Sequence, residues 1–245
     1  MRLNDALLLV AHGSARYPDA SRIALAQLAR IKQAEPMREV GLGLLNGTPS
    51  VAEALAGLAA PVVRVVPWFM EDGYFTKVAV PRALAITQPG AIDRLRLCPP
   101  VGVHAGMADL IVQCALDGCS ARGISPQATT VLVVGHGSAR ASGRALALHR
   151  HVSIAMTAMA FAQIKAACLE EAPFFANALR ALRCHTVAVI GFFAGEGSHV
   201  YEDVPELIAA EQRLRGPSGP PVHNYGSVTE TPEMTHIIMA QASAA

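Results

Sequence analysis

The chain has 245 residues, 52% of them hydrophobic, and its 20 Lys and Arg nearly balance its 19 Asp and Glu. This apolar content provides for a large buried core and excludes a disordered chain. The net charge of +1 argues against a nucleic-acid-binding protein, which usually carries a basic excess or a basic stripe.

Short apolar segments alternate with helix-patterned segments along the whole chain. The apolar segments predict eight strands, at about 6–11, 39–45, 62–67, 94–98, 130–135, 162–169, 186–191 and 221–225. Because they lack a polar and apolar alternation, they are expected to be buried on both faces of parallel sheets. Helical spacing appears between them, for example at 49–58 and 172–182.

The apolar runs are too short to cross a membrane, and the one near the N-terminus is too short for a signal sequence, so we expect a soluble cytoplasmic protein. Five cysteines form no Cys-x-x-Cys pair, which favours free thiols over a zinc ribbon or a disulfide scaffold. They are Cys98, Cys114, Cys119, Cys168 and Cys184.

The sequence contains an internal repeat. His12-Gly13-Ser14-Ala15-Arg16 recurs 124 residues later, from His136 to Arg140. The same offset relates Leu45 to Leu169, Pro49 to Pro173, Phe69 to Phe193, Gly73 to Gly197 and Pro81 to Pro205. Further on the register slips by three residues, and the loop at 216–220 accounts for the insertion. We therefore predict an α/β protein of two lobes related by duplication, at 1–122 and 128–245, each a four-stranded parallel sheet flanked by helices.

Chemically active side chains follow three strands of each repeat. Ligands of parallel sheets bind beyond the carboxyl ends of the strands, so these loops are expected to open on the same side. The second repeat has His136, Glu170 and His199 after its first, second and third strands, where the first repeat has His12, Asn46 and Phe75.

Two imidazoles and a carboxylate suit a borderline divalent metal, and they equally suit proton transfer near neutral pH. Each residue alone also has a structural interpretation: His136 as a helix cap, Glu170 with Glu171 as a solvated face, and His199 as a surface histidine. The remaining histidines show no partner spacing. We expect His149 and His151 on the solvent side of a helix or at the rim of a cleft, and assign no role to His104, His185, His223 or His236.

Three segments together resemble the sirohydrochlorin chelatases, the class II metal chelatases of siroheme and cobalamin biosynthesis, which are related to protoporphyrin ferrochelatase. They are a strand ending in Ala or Gly before His-Gly-Ser, the acidic segment at 167–173, and the segment from Gly197 through His199 to Asp203 and Pro205. The resemblance covers both repeats. It implies two chelatase-type lobes with a tetrapyrrole cleft between them, and insertion of Co²⁺ or Fe²⁺ into sirohydrochlorin without ATP. It further implies that the metal is a substrate, that no organic cofactor is needed, and that the protein is a monomer or a homodimer.

Carried onto this chain, the resemblance implies that His136, Glu170 and His199 bind the metal and take the pyrrole protons. The implied substrate-binding residues are Ser138, Arg140, Arg144, His12, Ser14 and Phe75, with Arg16 and Lys77 as further cations for the substrate carboxylates. Phe75 and Trp68 are expected either to form an apolar wall against the macrocycle or to belong to the core. In some long-form members the complete site lies in the first half, whereas here the second half holds it.

Two other functions are considered. A histidine phosphatase needs an Arg directly before its His, and this chain has Ala11 and Gly135 there. A tetrapyrrole or metal carrier that has lost turnover is the non-enzymatic alternative, and stoichiometric binding would distinguish it. A Gly-rich phosphate loop of the P-loop type is absent from the sequence, which speaks against an ATP-driven chelatase subunit.

Overall fold

The computed structural model describes residues 4–14, 21–85, 92–139, 145–195, 202–216 and 219–244. Its strands are β1 (Ala6–Ala11), β2 (Val40–Leu44), β3 (Val63–Pro67), β4 (Leu95–Leu97), β5 (Thr129–Gly135), β6 (Gln163–Cys168), β7 (Thr186–Phe192) and β8 (Val222–Ser227). Its helices are α1 (Arg22–Ala34), α2 (Val51–Ala56), α3 (Val80–Ala85), α4 (Met107–Ser120), α5 (Leu146–Met156), α6 (Phe175–Ala181), α7 (Val204–Arg215) and α8 (Met234–Ser243).

The chain divides into two compact units. The first comprises Met1–His104, Ala194–Glu196 and Pro232–Ala245, and the second comprises Ala105–Phe193 and Gly197–Thr231. The helix that closes each repeat in sequence packs in the unit formed mainly by the other repeat. Thus α8 packs on α1 and β3 in the first unit, and α4 packs on α5 and β7 in the second.

Each unit contains one parallel sheet with the same strand order. The first sheet runs β2-β1-β3-β4 and the second runs β6-β5-β7-β8. Every residue of β1 and of β5 is buried, as expected for central strands of a parallel sheet that helices cover on both faces. The predicted fold class, two four-stranded parallel sheets flanked by helices, is confirmed.

The predicted element bounds are close to those observed, and the differences arise at the ends. Helix α2 begins only at Val51, because Ser50 forms a capping box with Glu53 and so fixes the start of the helix. Strand β8 extends to Ser227 and has an irregular register against β7 between Val189 and Gly191. Within the described ranges, no helix combines the length and the apolar character that crossing a membrane requires.

Candidate active site

The site of the second repeat is built where β5 and β6 end. Two backbone hydrogen bonds continue the parallel pairing beyond the strands: Leu169 N–H donates to Gly135 O at 3.0 Å, and Glu170 N–H donates to His136 O at 2.9 Å. The second bond places residue 170 directly beside residue 136. The strand order therefore brings these two side chains together although 34 residues separate them in sequence.

The glycine after each histidine is required by the local packing. Gly137 has φ +71°, and a Cβ atom there would lie 2.6 Å from Glu171 Cγ and 2.9 Å from Cys168 Cβ. Gly13 has φ +69°, and its Cβ would lie 2.6 Å from the carbonyl oxygen of Asn46. Only glycine combines this backbone conformation with such a close approach, which explains the His-Gly-Ser motif physically.

His136 and Glu170 form the polar pair at the centre of the site. His136 Nδ1 lies 3.6 Å from Glu170 Oε2, and the two side chains are 46% and 42% exposed, so both reach solvent. The same carboxylate oxygen accepts a hydrogen bond from Ala139 N–H at 3.4 Å. The pair is therefore exposed to an incoming ligand and also held by the loop that carries the histidine.

The contacts of His136 indicate the tautomer of its ring. Nδ1 lies 3.3 Å from the carbonyl oxygen of Gly137, and a carbonyl oxygen can only accept a hydrogen bond. The proton of the neutral ring therefore belongs on Nδ1, which places the lone pair on Nε2. Histidines that bind metals are commonly oriented by such a hydrogen bond from their other ring nitrogen.

The first repeat displays the convergence of all three loops. His12 Nδ1 donates to Gly13 O at 2.8 Å, and Asn46 Nδ2 lies 3.5 Å from His12 Nε2. Phe75, the first residue of a π-helical turn, packs edge-on against His12 with ring centroids 4.8 Å apart, and it stacks on Phe69 at 5.3 Å. Residues from the ends of β1, β2 and β3 thus meet at one point, as the sequence predicts.

The other predicted site residues have different outcomes. Ser14 and Ser138 are described and half-buried. Lys77 forms an exposed ion pair with Asp72 at 3.2 Å. Arg16, Arg140, Arg144 and His199 lie outside the described residues. Within the described ranges, no group of three or more His, Cys, Asp or Glu side chains has the geometry to hold a metal ion.

The expectation for His151 is wrong, whereas for Trp68 and Glu171 the structure decides between roles that the sequence left open. Trp68 is only 3% exposed and its indole N–H donates to the carbonyl oxygen of Ala194, so of its two expected roles it has the one in the core. His151 is completely buried on α5, with its ring 5.8 Å from that of Phe192, instead of facing solvent. Glu171 is 4% exposed and is not part of a solvated face.

A cavity of about 710 Å³ opens beside Glu170. One face of α7 lines it through Asp203, Glu206, Ala210 and Arg213, which follow one another at helical spacing. Asp203 belongs to the sequence motif named above, whereas Glu206 and Arg213 were not predicted to lie near the site. The helical spacing that follows Asp203 places both residues on the same face of α7 and could have identified them.

The fold and the site define a class: a duplicated parallel α/β protein with a histidine and a carboxylate at the ends of two adjacent strands in one repeat. The family model described as CbiX matches residues 6–117 and again residues 130–245. The chain therefore belongs to the CbiX family.

Individual relatives agree with this assignment. The chain is 28% identical over 222 residues to a probable sirohydrochlorin cobaltochelatase of Halobacterium salinarum, covering 82% of this chain and 76% of that protein. A solved structure from Deinococcus radiodurans, a multi-domain protein with structural similarity to chelatases, matches 98% of this chain with a TM-score of 0.78 and 26% identity. This chain spans about half of that protein, 54% of its length. The structure of CbiX, described as the terminal enzyme of siroheme biosynthesis in denitrifying bacteria, matches with a TM-score of 0.76 at 24% identity, covering 98% of this chain and 99% of that one.

Proposed function

We propose that the protein is a chelatase that inserts Co²⁺ or Fe²⁺ into sirohydrochlorin without ATP, and that the second repeat holds the working site. The observation that carries the proposal is the exposed pair of His136 and Glu170, 3.6 Å apart at the ends of β5 and β6, in a chain of the CbiX family. In the first repeat the equivalent pair is His12 with the neutral amide of Asn46.

Metal insertion exchanges one divalent cation for two protons on pyrrole nitrogens, so the site must bind a cation and accept protons. The Nδ1 proton of His136 faces a carbonyl oxygen, and the lone pair on Nε2 is the form in which imidazole binds a metal or takes a proton. Glu170 supplies a negative charge beside it, which stabilises either the cation or the imidazolium that forms after proton transfer.

His199 is the third proposed residue. It corresponds through the 124-residue offset to Phe75, whose ring lies 4.8 Å from that of His12. The same arrangement in the second repeat would bring an imidazole to His136. Two imidazoles and one carboxylate form a ligand set that accepts Co²⁺ and Fe²⁺.

Sirohydrochlorin carries carboxylate side chains, and binding energy at these groups is available for distorting the macrocycle towards the transition state. Arg213 lines the cavity beside Glu170 and is a suitable cation for one of these carboxylates. The further substrate-binding residues of this proposal are Ser138, Arg140, Arg144, His12, Ser14 and Phe75. We also propose that the site of repeat 1–122 is a degenerate copy of the site of repeat 128–245, and that no organic cofactor takes part in the reaction. The proposal further places the protein in the cytoplasm, as a monomer or a homodimer.

The test is direct. Purified protein is mixed with sirohydrochlorin and either Co²⁺ or, without oxygen, Fe²⁺, and the absorbance change of insertion is compared with a protein-free blank. We expect catalytic acceleration that is lost in His136→Ala, Glu170→Ala and His199→Ala. His185→Ala is the matched control, since His185 is an exposed histidine outside the site in the same unit.

A wild-type protein that does not accelerate insertion would overturn the proposal for this substrate. Binding of one tetrapyrrole per chain without turnover would point instead to a carrier. Equal losses in His185→Ala and His136→Ala would contradict the placement of the site.

A further inference from the structure

Glu171 is a buried carboxylate next to the candidate site, and the proposed chemistry does not use it. Glu171 as a whole residue is 4% exposed, whereas the side chain of its neighbour Glu170 is 42% exposed. The two consecutive glutamates therefore occupy different environments. Burying a carboxylate is costly unless hydrogen bonds compensate for the lost water, so the position of Glu171 calls for a specific partner.

That partner is the beginning of α5. Glu171 Oε1 accepts a hydrogen bond from the backbone N–H of Ala145 at 2.9 Å, in a buried setting. Ala145 is the residue directly before the first turn of α5. A negative charge is favoured at this end of a helix, where N–H groups without a helical partner are concentrated.

The neighbouring glutamate, Glu170, contacts Ala139 in the loop that follows His136. Glu170 Oε2 accepts from Ala139 N–H at 3.4 Å, so the two consecutive carboxylates bind residues 139 and 145 on either side of 140–144. Glu171 also packs on the loop of the histidine, since its Cγ occupies the space that a side chain at Gly137 would need. It is thus in contact with both the start of α5 and the His136 loop.

The first repeat lacks this arrangement. Its residue equivalent to Glu171 is Gly47, and within the described residues the Ser21 side chain makes no capping hydrogen bond at the start of α1. The buried carboxylate therefore occurs in the repeat that has the imidazole and carboxylate pair. In the first repeat the backbone hydrogen bond from Asn46 N–H to His12 O forms with Gly47, and so without a carboxylate, at the equivalent position.

We infer that Glu171 is a positioning residue for metal insertion: it anchors the start of α5 to the end of β6 and so holds His136 and Glu170 in register. The inference rests on the proposed function for its effect on turnover, whereas the anchoring itself can be measured without turnover. Small displacements of reacting groups reduce rates strongly, by up to about a hundredfold for an error of roughly 1 Å.

The experiment compares Glu171→Ala, which removes the acceptor oxygen, with Glu171→Gln, which keeps a carbonyl oxygen at the same distance along the side chain. Asp5→Ala is the matched control, because Asp5 is also buried and pairs with Arg64 at the opposite, amino end of β1. The rate constant kcat and the KM for the tetrapyrrole are measured per folded molecule, below the unfolding temperature of every variant. Exchange of the Ala145 and Glu170 amide hydrogens is followed by NMR in the same samples.

We expect kcat of Glu171→Ala to fall about tenfold or more, with KM changed less than about threefold, as for a residue that acts on the chemical step. Glu171→Gln should recover most of the loss, and Asp5→Ala should lower stability without lowering kcat. The Ala145 and Glu170 amides should exchange faster in Glu171→Ala only.

An unchanged kcat in Glu171→Ala, the absence of recovery in Glu171→Gln, or an equal loss in Asp5→Ala would overturn the positioning role. A wild-type protein without chelatase activity would overturn the proposed function, and the amide exchange would still decide whether Glu171 anchors α5. Unchanged exchange at Ala145 would refute the anchoring.

Discussion

Replacing Gly137 by alanine tests the packing that holds the candidate site together. The new Cβ would lie 2.6 Å from Glu171 Cγ and 2.9 Å from Cys168 Cβ, and the backbone would have to keep φ +71°. Both neighbouring side chains are buried, so the space can be gained only by moving the end of β6 or the histidine loop.

The expected cost has two parts. A side chain in the left-handed conformation costs about 1–2 kcal/mol, and inserting a methyl group into a packed interior costs about 1–3 kcal/mol. The free energy of unfolding should therefore fall by about 2–5 kcal/mol. Gly123→Ala is the matched control in the same compact unit: Gly123 has φ +62°, and no described atom lies within 4 Å of a Cβ placed there.

Urea unfolding of the wild type and of the two variants, followed by circular dichroism, measures the difference. Gly123→Ala should lose only the conformational part, about 1–2 kcal/mol, and Gly137→Ala should lose clearly more. Equal losses in the two variants would refute the argument that the close approach of Glu171 and Cys168 demands glycine at position 137.

Three further predictions concern titration and substrate binding. Burial raises the pKa of the Cys98 thiol to about 11. Because this pKa lies above that of the thiol in the unfolded chain, the stability contributed by the protonated thiol is present below about pH 9 and is lost as the pH rises towards 11. The urea midpoint should therefore fall less steeply with pH in Cys98→Ala than in the wild type, and equal slopes would contradict this. Burial, followed by a hydrogen bond to Cys119, raises the pKa of Tyr225 to about 12; the ultraviolet absorbance of its phenolate should appear at lower pH in Cys119→Ala, and an unchanged midpoint would count against the hydrogen bond. Arg213→Ala should raise the KM for sirohydrochlorin about tenfold, the cost of a charged hydrogen bond, while Arg183→Ala, an exposed control in the same unit, should not.

The fold could be predicted because periodicity and repetition act together. Eight apolar segments without alternation predict buried parallel strands, and the constant offset of 124 residues requires the same topology twice. The exchange of the closing helices could not be predicted in this way. Helices α4 and α8 each have an apolar face, and an apolar face does not specify which of two similar sheets it covers.

The site could be predicted only as far as strand ends determine it. The pairing of His136 with Glu170 follows from the order β6-β5-β7, because the ends of adjacent parallel strands meet. The different environments of Glu170 and Glu171 do not follow, since the sequence does not fix which of two identical neighbours turns inward. The same holds for His149 and His151: two helical positions apart, they point to nearly opposite faces, and the buried one happens to be His151.

The two repeats have similar backbone conformations at the site but different side chains. The hydrogen bond from residue 46 to His12 O has the same form as that from residue 170 to His136 O, and the glycine after each histidine has nearly the same positive φ. A shared backbone therefore carries two different sets of side chains. Asn46 cannot supply the negative charge that a cation or an imidazolium requires, and the aromatic ring of Phe75 cannot bind a metal ion through a lone pair. Because the backbones of these two loops agree, we assign the proposed difference in function between the repeats to these side chains, and the proposed reaction places the metal in the second repeat.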